Sequence, residues 1–167
     1  MSKIRVYELA KNLNKDSKEI IEILKSKGVE LVNITLGNPY LIPHINRPCI
    51  NAPEDGSVGM KRIYDVTKEL NEAFPNVKFI ASGLSFEGEN ALDYAAKVID
   101  DGVADFAGFG RMTFAYPDFY VDYLKNGKLE KSKVCLKCSK CSELILRRLA
   151  FRFPIEYTFA SAVCFVD

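Results

Sequence analysis

Residues 77–83 read VKFIASG, and this β-rich run with a glycine at its end predicts a short buried strand that closes in a turn. Two more runs of this kind lie on either side, LVNIT at 31–35 and ADFAG at 104–108. Between these runs, residues 60–74 and 91–99 have the apolar periodicity of helices, and a further helix is expected after the last run. Strands that alternate with helices in this way predict an α/β fold with a parallel sheet and right-handed crossovers.

The first part of the chain, residues 1–29, predicts a small helical module. Asp16 and Glu19 have the spacing of a capping box, in which each side chain accepts a hydrogen bond from a free backbone N–H at the helix start. Gly28 is placed to end that helix. A polar, proline-containing stretch from 38 to 59 is predicted to be a long loop, and loops of such length often carry function.

Composition bounds the class of protein. The chain has 167 residues, which is about one domain, and 23 Lys plus Arg against 22 Asp plus Glu give a net charge of +1. This balance argues against non-specific nucleic-acid binding, which needs a basic surface. No apolar run reaches the roughly 18 residues of a membrane span, and the first residues do not read as a signal peptide. A cytoplasmic location is therefore expected, where cysteines tend to be metal ligands or redox groups.

Two predicted strands end in similar glycine turns, ASGL at 81–84 and GFGR at 108–111. In parallel sheets the loops at the carboxyl ends of strands hold ligands, and glycine lets backbone N–H groups approach an anion closely. Arg111 adds a group that binds phosphate. The alternative interpretation is two ordinary tight turns with an exposed arginine.

Three cysteines have metal-ligand spacing: Cys135, Cys138 and Cys141. Thiolates at this spacing can bind one face of an iron–sulfur cluster, while zinc binding and redox-active thiols are the competing interpretations. Lys133, Lys137 and Lys140 would offset the negative charge of a cluster. Cys49 is interpreted as an isolated loop thiol.

The chain from 28 to 143 resembles the C-terminal part of the barrel in the old yellow enzyme family, above all its iron–sulfur branch of 2,4-dienoyl-CoA reductase-like and bile-acid-inducible NADH:flavin oxidoreductases. The resemblance is carried by GVELVNIT at 28–35, GNPY at 37–40, PHINRP at 43–48, GFGRM at 108–112, YPDF at 116–119 and the cysteines. It implies a partial TIM-type barrel made of strands six to eight with their helices. It also implies an enzyme that binds FMN, takes hydride from NAD(P)H and reduces an activated C=C bond of a small unsaturated substrate.

The same resemblance implies roles for individual residues. The flavin phosphate would be held at Gly83 and Leu84 after one strand, and at Gly110 and Arg111 after the next. The three cysteines would bind a 4Fe-4S cluster that passes electrons to FMN. His44, the single histidine, is expected on a surface loop, with a position near flavin or substrate as the alternative.

The sequence also departs from that family. The pattern has a fourth cysteine about a dozen residues after the third, whereas here Cys164 follows Cys141 after 22 intervening residues. Residues 147–167 form an atypical tail, and the segment taken as the barrel domain is 30–146. A complete barrel needs about 250 residues. The first five strands and the family's catalytic residues are not represented, so the chain is predicted to be a truncated or chimeric fragment that self-associates through an exposed sheet edge.

A second resemblance covers residues 1–29, which look like the small N-terminal module of bacterial translation initiation factor two. The matching runs are KIRVYELAK at 3–11 and SKEII at 17–21. It implies an alternative function, a non-enzymatic translation-factor-like module joined to a nonfunctional barrel remnant. A metal-binding domain that uses the three cysteines alone is a third interpretation.

Overall fold

The computed structural model describes residues 16–36, 43–46 and 48–138. Within these ranges three strands form one parallel sheet in the order β1-β2-β3. The strands are β1 (Leu31–Asn33), β2 (Lys78–Ala81) and β3 (Phe106–Ala107). In the register of the sheet, Val32 lies beside Phe79, and Ile80 lies beside Phe106. The predicted α/β class is confirmed, and closure into a barrel stays a prediction.

Six α-helices and one 3-10 helix accompany the sheet in the described residues. They are α1 (Ser17–Ser26), α2 (Pro43–Asn46), α3 (Gly56–Ala73), the 3-10 helix (Leu84–Asn90), α4 (Ala91–Asp100), α5 (Arg111–Ala115) and α6 (Phe119–Asn126). Both α3 and α4 pack against the sheet, since buried residues of each belong to the same hydrophobic core as the strands.

The two faces of the sheet differ in burial. Val32, Phe79 and Ala81 belong to the hydrophobic core that the helices cover. Strand alternation puts Leu31 and Ile80 on the opposite face, where Leu31 is 45% exposed while Ile80 is buried. One face is therefore buried in the hydrophobic core, and the other is only partly covered by the described residues.

The first described helix forms as its sequence predicts. The Glu19 amide donates to the Asp16 carboxylate at 2.8 Å, and the Asp16 amide donates to the Glu19 carboxylate at 3.2 Å, which completes the capping box. Ile20 and Ile21 are fully buried in the fold. Gly28 has a φ of +80° directly after the helix, so it ends α1 as expected. Residues 1–15 of the predicted module lie outside the described residues.

The prediction of one long loop from 38 to 59 is wrong at two points. This stretch contains the short helix α2, which carries the half-buried His44, and α3 begins at Gly56 rather than at Met60. The Asp55 carboxylate accepts a hydrogen bond from the Ser57 amide at 2.8 Å and caps α3. At Gly56 a Cβ atom would overlap the ring of Phe86, so this start of α3 is packed tightly against the 3-10 helix.

Asp105 holds the beginnings of β2 and β3 together. Its carboxylate accepts hydrogen bonds from the Lys78 ammonium at 2.6 Å and from the Phe79 amide at 2.9 Å. This contact fixes the strands at their amino ends and leaves their carboxyl ends to the turns that follow. Among the described residues, no helix is long and apolar enough to cross a membrane. The boundary near 146 and the tail at 147–167 lie outside these residues.

Candidate functional site: two glycine turns and a cysteine segment

The two predicted glycine turns lie side by side at the carboxyl ends of β2 and β3. The Gly108 amide donates to the Ala81 carbonyl at 2.8 Å, which joins the start of the second turn to the end of β2. The Met112 amide donates to the Ser85 hydroxyl at 3.1 Å, and Ser85 is buried. This bond ties the start of α5 to the 3-10 helix. Sequence reasoning had not singled out Ser85.

The turn after β2 is tightly packed. Gly83 has a left-handed backbone with a φ of +88°, and its carbonyl accepts from the Phe86 amide at 2.9 Å. A Cβ at Gly83 would lie 3.1 Å from Ile63 Cδ1 and 3.2 Å from Met60 Sδ. The side chain of Leu84 is buried in the core, so it is not available to a ligand.

The turn after β3 is open. Gly110 has a φ of −93°, and apart from the glycine and its chain neighbours no described atom lies within 4 Å of the position that a Cβ would take. Arg111 directly follows it and is only 9% exposed. The alternative of an exposed arginine is therefore wrong, because the fold buries this side chain.

The buried guanidinium of Arg111 is only partly satisfied. Its Nη1 donates to the Pro48 carbonyl at 2.8 Å, whereas its Nη2 is buried without a hydrogen-bond partner among the described residues. A buried N–H group that lacks an acceptor costs roughly 1–3 kcal/mol, and more when it is charged. An anionic oxygen at Nη2 would remove that cost, so this donor set fits a phosphate group.

Residues 48–50, which we call the strap, connect this arginine to residues 135–141, which we call the cysteine segment. Pro48 is buried and accepts the Arg111 hydrogen bond. Two residues later, the Ile50 amide donates to the Lys137 carbonyl at 3.2 Å. The strap therefore contacts both predicted sites, and Cys49 lies at its centre. These contacts bridge large sequence separations, which is why no local pattern indicated them.

An ion pair lies next to the strap along the chain. Arg62 donates to both carboxylate oxygens of Glu54, at 2.9 and 2.7 Å. This pairing lowers the pKa of Glu54 and raises the pKa of Arg62. The segment between the strap and α3 is therefore fastened to the helix by a charged contact.

The cysteine segment is described as far as Cys138. Cys135 is buried, Cys138 is half-buried, and both are free thiols. The Lys137 amide donates to Cys135 Sγ at 3.4 Å, an arrangement that orients a sulfur ligand. Lys137 has a φ of +59°, and its ammonium lies 4.8 Å from the centre of the Phe86 ring. Cys141 lies outside the described residues.

The described residues do not form a metal site. No group of three His, Cys, Asp or Glu side chains within them is placed to hold a metal ion. Lys133 forms an ion pair with Glu130 at 2.6 Å. This pairing neutralises much of the positive charge that the sequence predicted Lys133 to place near the cysteines. Lys140 and Cys164 lie beyond the described ranges. The ligand set predicted from the sequence stays a prediction.

The geometry defines a parallel α/β sheet with two glycine turns and a half-satisfied arginine at one edge. Comparison with known proteins adds two likenesses. The family described as translation initiation factor IF-2, N-terminal region, matches residues 1–35. A bilirubin reductase of Mediterraneibacter gnavus (strain CC55_001C) is 28% identical over 131 residues, or 78% of this chain. None of the solved structures matches the chain.

These likenesses bear on both resemblances seen in the sequence. The first supports the translation-factor resemblance and extends it from residue 29 to residue 35, past the end of β1. The second supports a relationship to redox enzymes. The aligned part covers 19% of the bilirubin reductase, so this chain spans about a fifth of that relative's length.

Proposed function

We propose that this chain is the phosphate-binding part of an FMN-dependent oxidoreductase. The observation that carries the proposal is the buried Arg111, whose Nη2 has no partner among the described residues and which directly follows the open turn at Gly110 in the sequence. A phosphate supplies the acceptor that this group lacks, and adjacent glycine turns at strand ends are a common phosphate site in α/β barrels.

Each residue of the site has a distinct part in this proposal. Gly110 leaves room for a phosphate oxygen to reach the backbone, and Arg111 donates Nη2 while Nη1 stays on Pro48. Gly83 and Leu84 contribute backbone groups only, since the Leu84 side chain is buried in the core. The strap holds the guanidinium in place, so its orientation is set before a ligand binds.

In the whole protein, FMN would take hydride from NAD(P)H and reduce an activated C=C bond of an unsaturated substrate. The likeness to a protein named bilirubin reductase supports a reductase of some kind. For this chain, which spans about a fifth of that relative, we propose cofactor binding and assign no catalytic residue. We also propose self-association through a sheet edge, since β1 and β3 are the outer strands of the described sheet.

The cysteines form the second part of the proposal. We assign Cys135, Cys138 and Cys141 to a 4Fe-4S cluster, which supplies electron transfer to the flavin when bound. The fit rests on soft thiol donors and on the Lys137 amide, which donates to Cys135 Sγ. Hydrogen bonds to cluster sulfurs are one of the means by which proteins set the reduction potential.

An FMN titration tests the phosphate site. Arg111→Ala should weaken FMN binding by about 10-fold to 100-fold, because a hydrogen bond to a charged group contributes roughly 1.5–3 kcal/mol. Quenching of flavin fluorescence on binding gives the dissociation constant. Arg62→Ala is the matched control, since Arg62 is occupied by Glu54 and lies outside both turns. Equal affinity in wild type and Arg111→Ala would rule out the phosphate assignment, provided that both fold.

A second function has its own support in the family match over residues 1–35. That match favours a role as a translation-factor-like module, in which the sheet serves no redox chemistry. Co-sedimentation of the full chain with purified ribosomal subunits separates the two proposals. Binding to the subunits together with no affinity for FMN would favour the module.

A further inference from the structure

Ser85 joins the two glycine turns through a buried hydrogen bond. It lies in the 3-10 helix two residues after Gly83, and its side chain is only 3% exposed. Its hydroxyl accepts from the Met112 amide at 3.1 Å. Met112 is fully buried and directly follows Arg111 in α5. The bond therefore fixes the backbone immediately after the arginine of the second turn.

This bond gives α5 a cap that the helix does not make for itself. The residue before α5 is Gly110, which has no side chain with which to accept a hydrogen bond. The first N–H groups of a helix need an acceptor, and a Ser, Thr, Asp or Asn just before the helix normally provides it. Here Ser85 provides it to Met112 from the neighbouring turn. Position 110 can therefore remain a glycine, and the turn remains open.

Two other hydroxyls near the turns have different partners. Ser82 donates to the side-chain oxygen of Asn33 at 2.6 Å, which links the ends of β2 and β1. Thr113 donates to the Phe109 carbonyl at 2.9 Å, a bond that stays within the segment after β3. Of these three hydroxyls, only that of Ser85 joins the turn after β2 to the turn after β3.

We propose that Ser85 is a positioning residue that makes the site selective for a phosphorylated flavin over a flavin without phosphate. The Pro48 carbonyl holds the guanidinium of Arg111 through Nη1, while Ser85 holds the backbone next to that arginine. Because both ends of the side chain are fixed, Nη2 is oriented before a phosphate binds. The inference rests on the proposed phosphate site and names a residue that acts through Arg111.

Removal of the Ser85 hydroxyl should loosen the start of α5. In Ser85→Ala the buried Met112 amide has lost its acceptor, which is unfavourable, so the first turn of the helix shifts toward another one. Arg111 moves with that turn. FMN affinity should fall about 5-fold, the factor that a typical hydrogen bond contributes to an equilibrium. Riboflavin has no phosphate, so its affinity should not change.

Paired titrations of the full chain with FMN and riboflavin test the proposal, and quenching of flavin fluorescence gives both dissociation constants. Ser85→Ala should lower the preference for FMN over riboflavin. Thr113→Val is the matched control, because it removes a hydroxyl of the same helix whose bond does not join the two turns. An equal loss of affinity for both flavins in Ser85→Ala would show a merely structural role and overturn the proposal.

The same titrations separate this inference from the function on which it rests. If the wild type binds FMN and riboflavin equally well, the phosphate site itself is refuted, and the role of Ser85 falls with it. If the wild type prefers FMN and Ser85→Ala keeps that preference, only the role of Ser85 is refuted.

Hydrogen exchange in the wild type gives an answer even where Ser85→Ala does not fold. Phosphate binding at Arg111 and the Ser85 bond should stabilise each other, because coupling between two sites is reciprocal. FMN should therefore slow exchange of the Met112 amide, and riboflavin should not. Nuclear magnetic resonance of the ¹⁵N-labelled full chain measures the rate. A rate that FMN leaves unchanged, or that both flavins slow equally, would overturn the proposal.

Discussion

The two glycine turns have almost the same sequence chemistry but different surroundings. Gly83, after β2, has a left-handed backbone and is crowded by Ile63 and Met60. Gly110, after β3, has an ordinary φ and open space beside it. The comparison teaches that one glycine is required by the fold, while the other leaves space that a ligand can fill. A resemblance to a binding motif does not separate these two roles, but the packing around each turn does.

The largest effect is expected from Gly83→Ala. A side chain in the left-handed region is strained, and here its Cβ also meets Ile63 Cδ1 at 3.1 Å and Met60 Sδ at 3.2 Å, closer than ordinary van der Waals contact, so we expect a loss of roughly 1–3 kcal/mol in the free energy of unfolding. Urea unfolding measures it. Gly102→Ala is the matched control, because Gly102 has a φ of +66° with nothing within 4 Å. Equal losses in the two variants would show that crowding at Gly83 contributes nothing.

Gly110→Val should lower FMN affinity while leaving the stability of the fold nearly unchanged. The described fold has room for the side chain at this turn, so the free energy of unfolding should change by no more than about 0.5 kcal/mol. The added methyl groups occupy the space assigned to a phosphate oxygen, so FMN affinity should fall at least several-fold. Parallel unfolding and flavin titrations measure both quantities. Unchanged affinity would mean that the open turn is not where the phosphate binds.

Local patterns predicted the elements better than they predicted the site. The three strands, the capping box at Asp16 and the ends of α1 and α4 at glycines follow from nearest-neighbour chemistry. The start of α3 was misplaced because residues 56–59 read as a loop, although Asp55 offered a usable capping signal. The burial of Arg111 against Pro48 joins residues far apart in sequence, so no window of sequence contains it.

The cysteine segment shows the same limit. The spacing of Cys135 and Cys138 indicates a metal. The backbone of Lys137 is left-handed, however, and a lysine in the sequence does not predict that conformation. The contact between the strap and Lys137 depends on how the loop after β1 returns to the sheet. Sequence reasoning therefore treated Cys49 as unrelated to the other cysteines.

The smallest effect concerns the pH dependence of the segment beside the second turn. Arg62 lowers the pKa of Glu54 in the folded chain, so this pair stabilises the fold above the ordinary pKa of a glutamate. That stabilisation is lost as the pH falls through the lowered folded pKa. Glu54→Gln should flatten the acid side of a plot of unfolding free energy against pH, measured by urea titration between pH 3 and 7 (about the range of carboxylate titration). A curve identical to wild type would show that the pair adds no stability.

Phe86 connects three parts of the molecule that are distant in sequence. Its ring fills the place of a side chain at Gly56 on α3, and the ammonium of Lys137 lies over the ring. The dimensions of a single aromatic ring therefore set the spacing between α3 and the cysteine segment. Residues 56 and 86 are constrained as a pair, since a larger side chain at position 56 is compatible only with a smaller one at position 86. Any redesign of the cysteine segment has to keep this spacer or replace it with one of equal size.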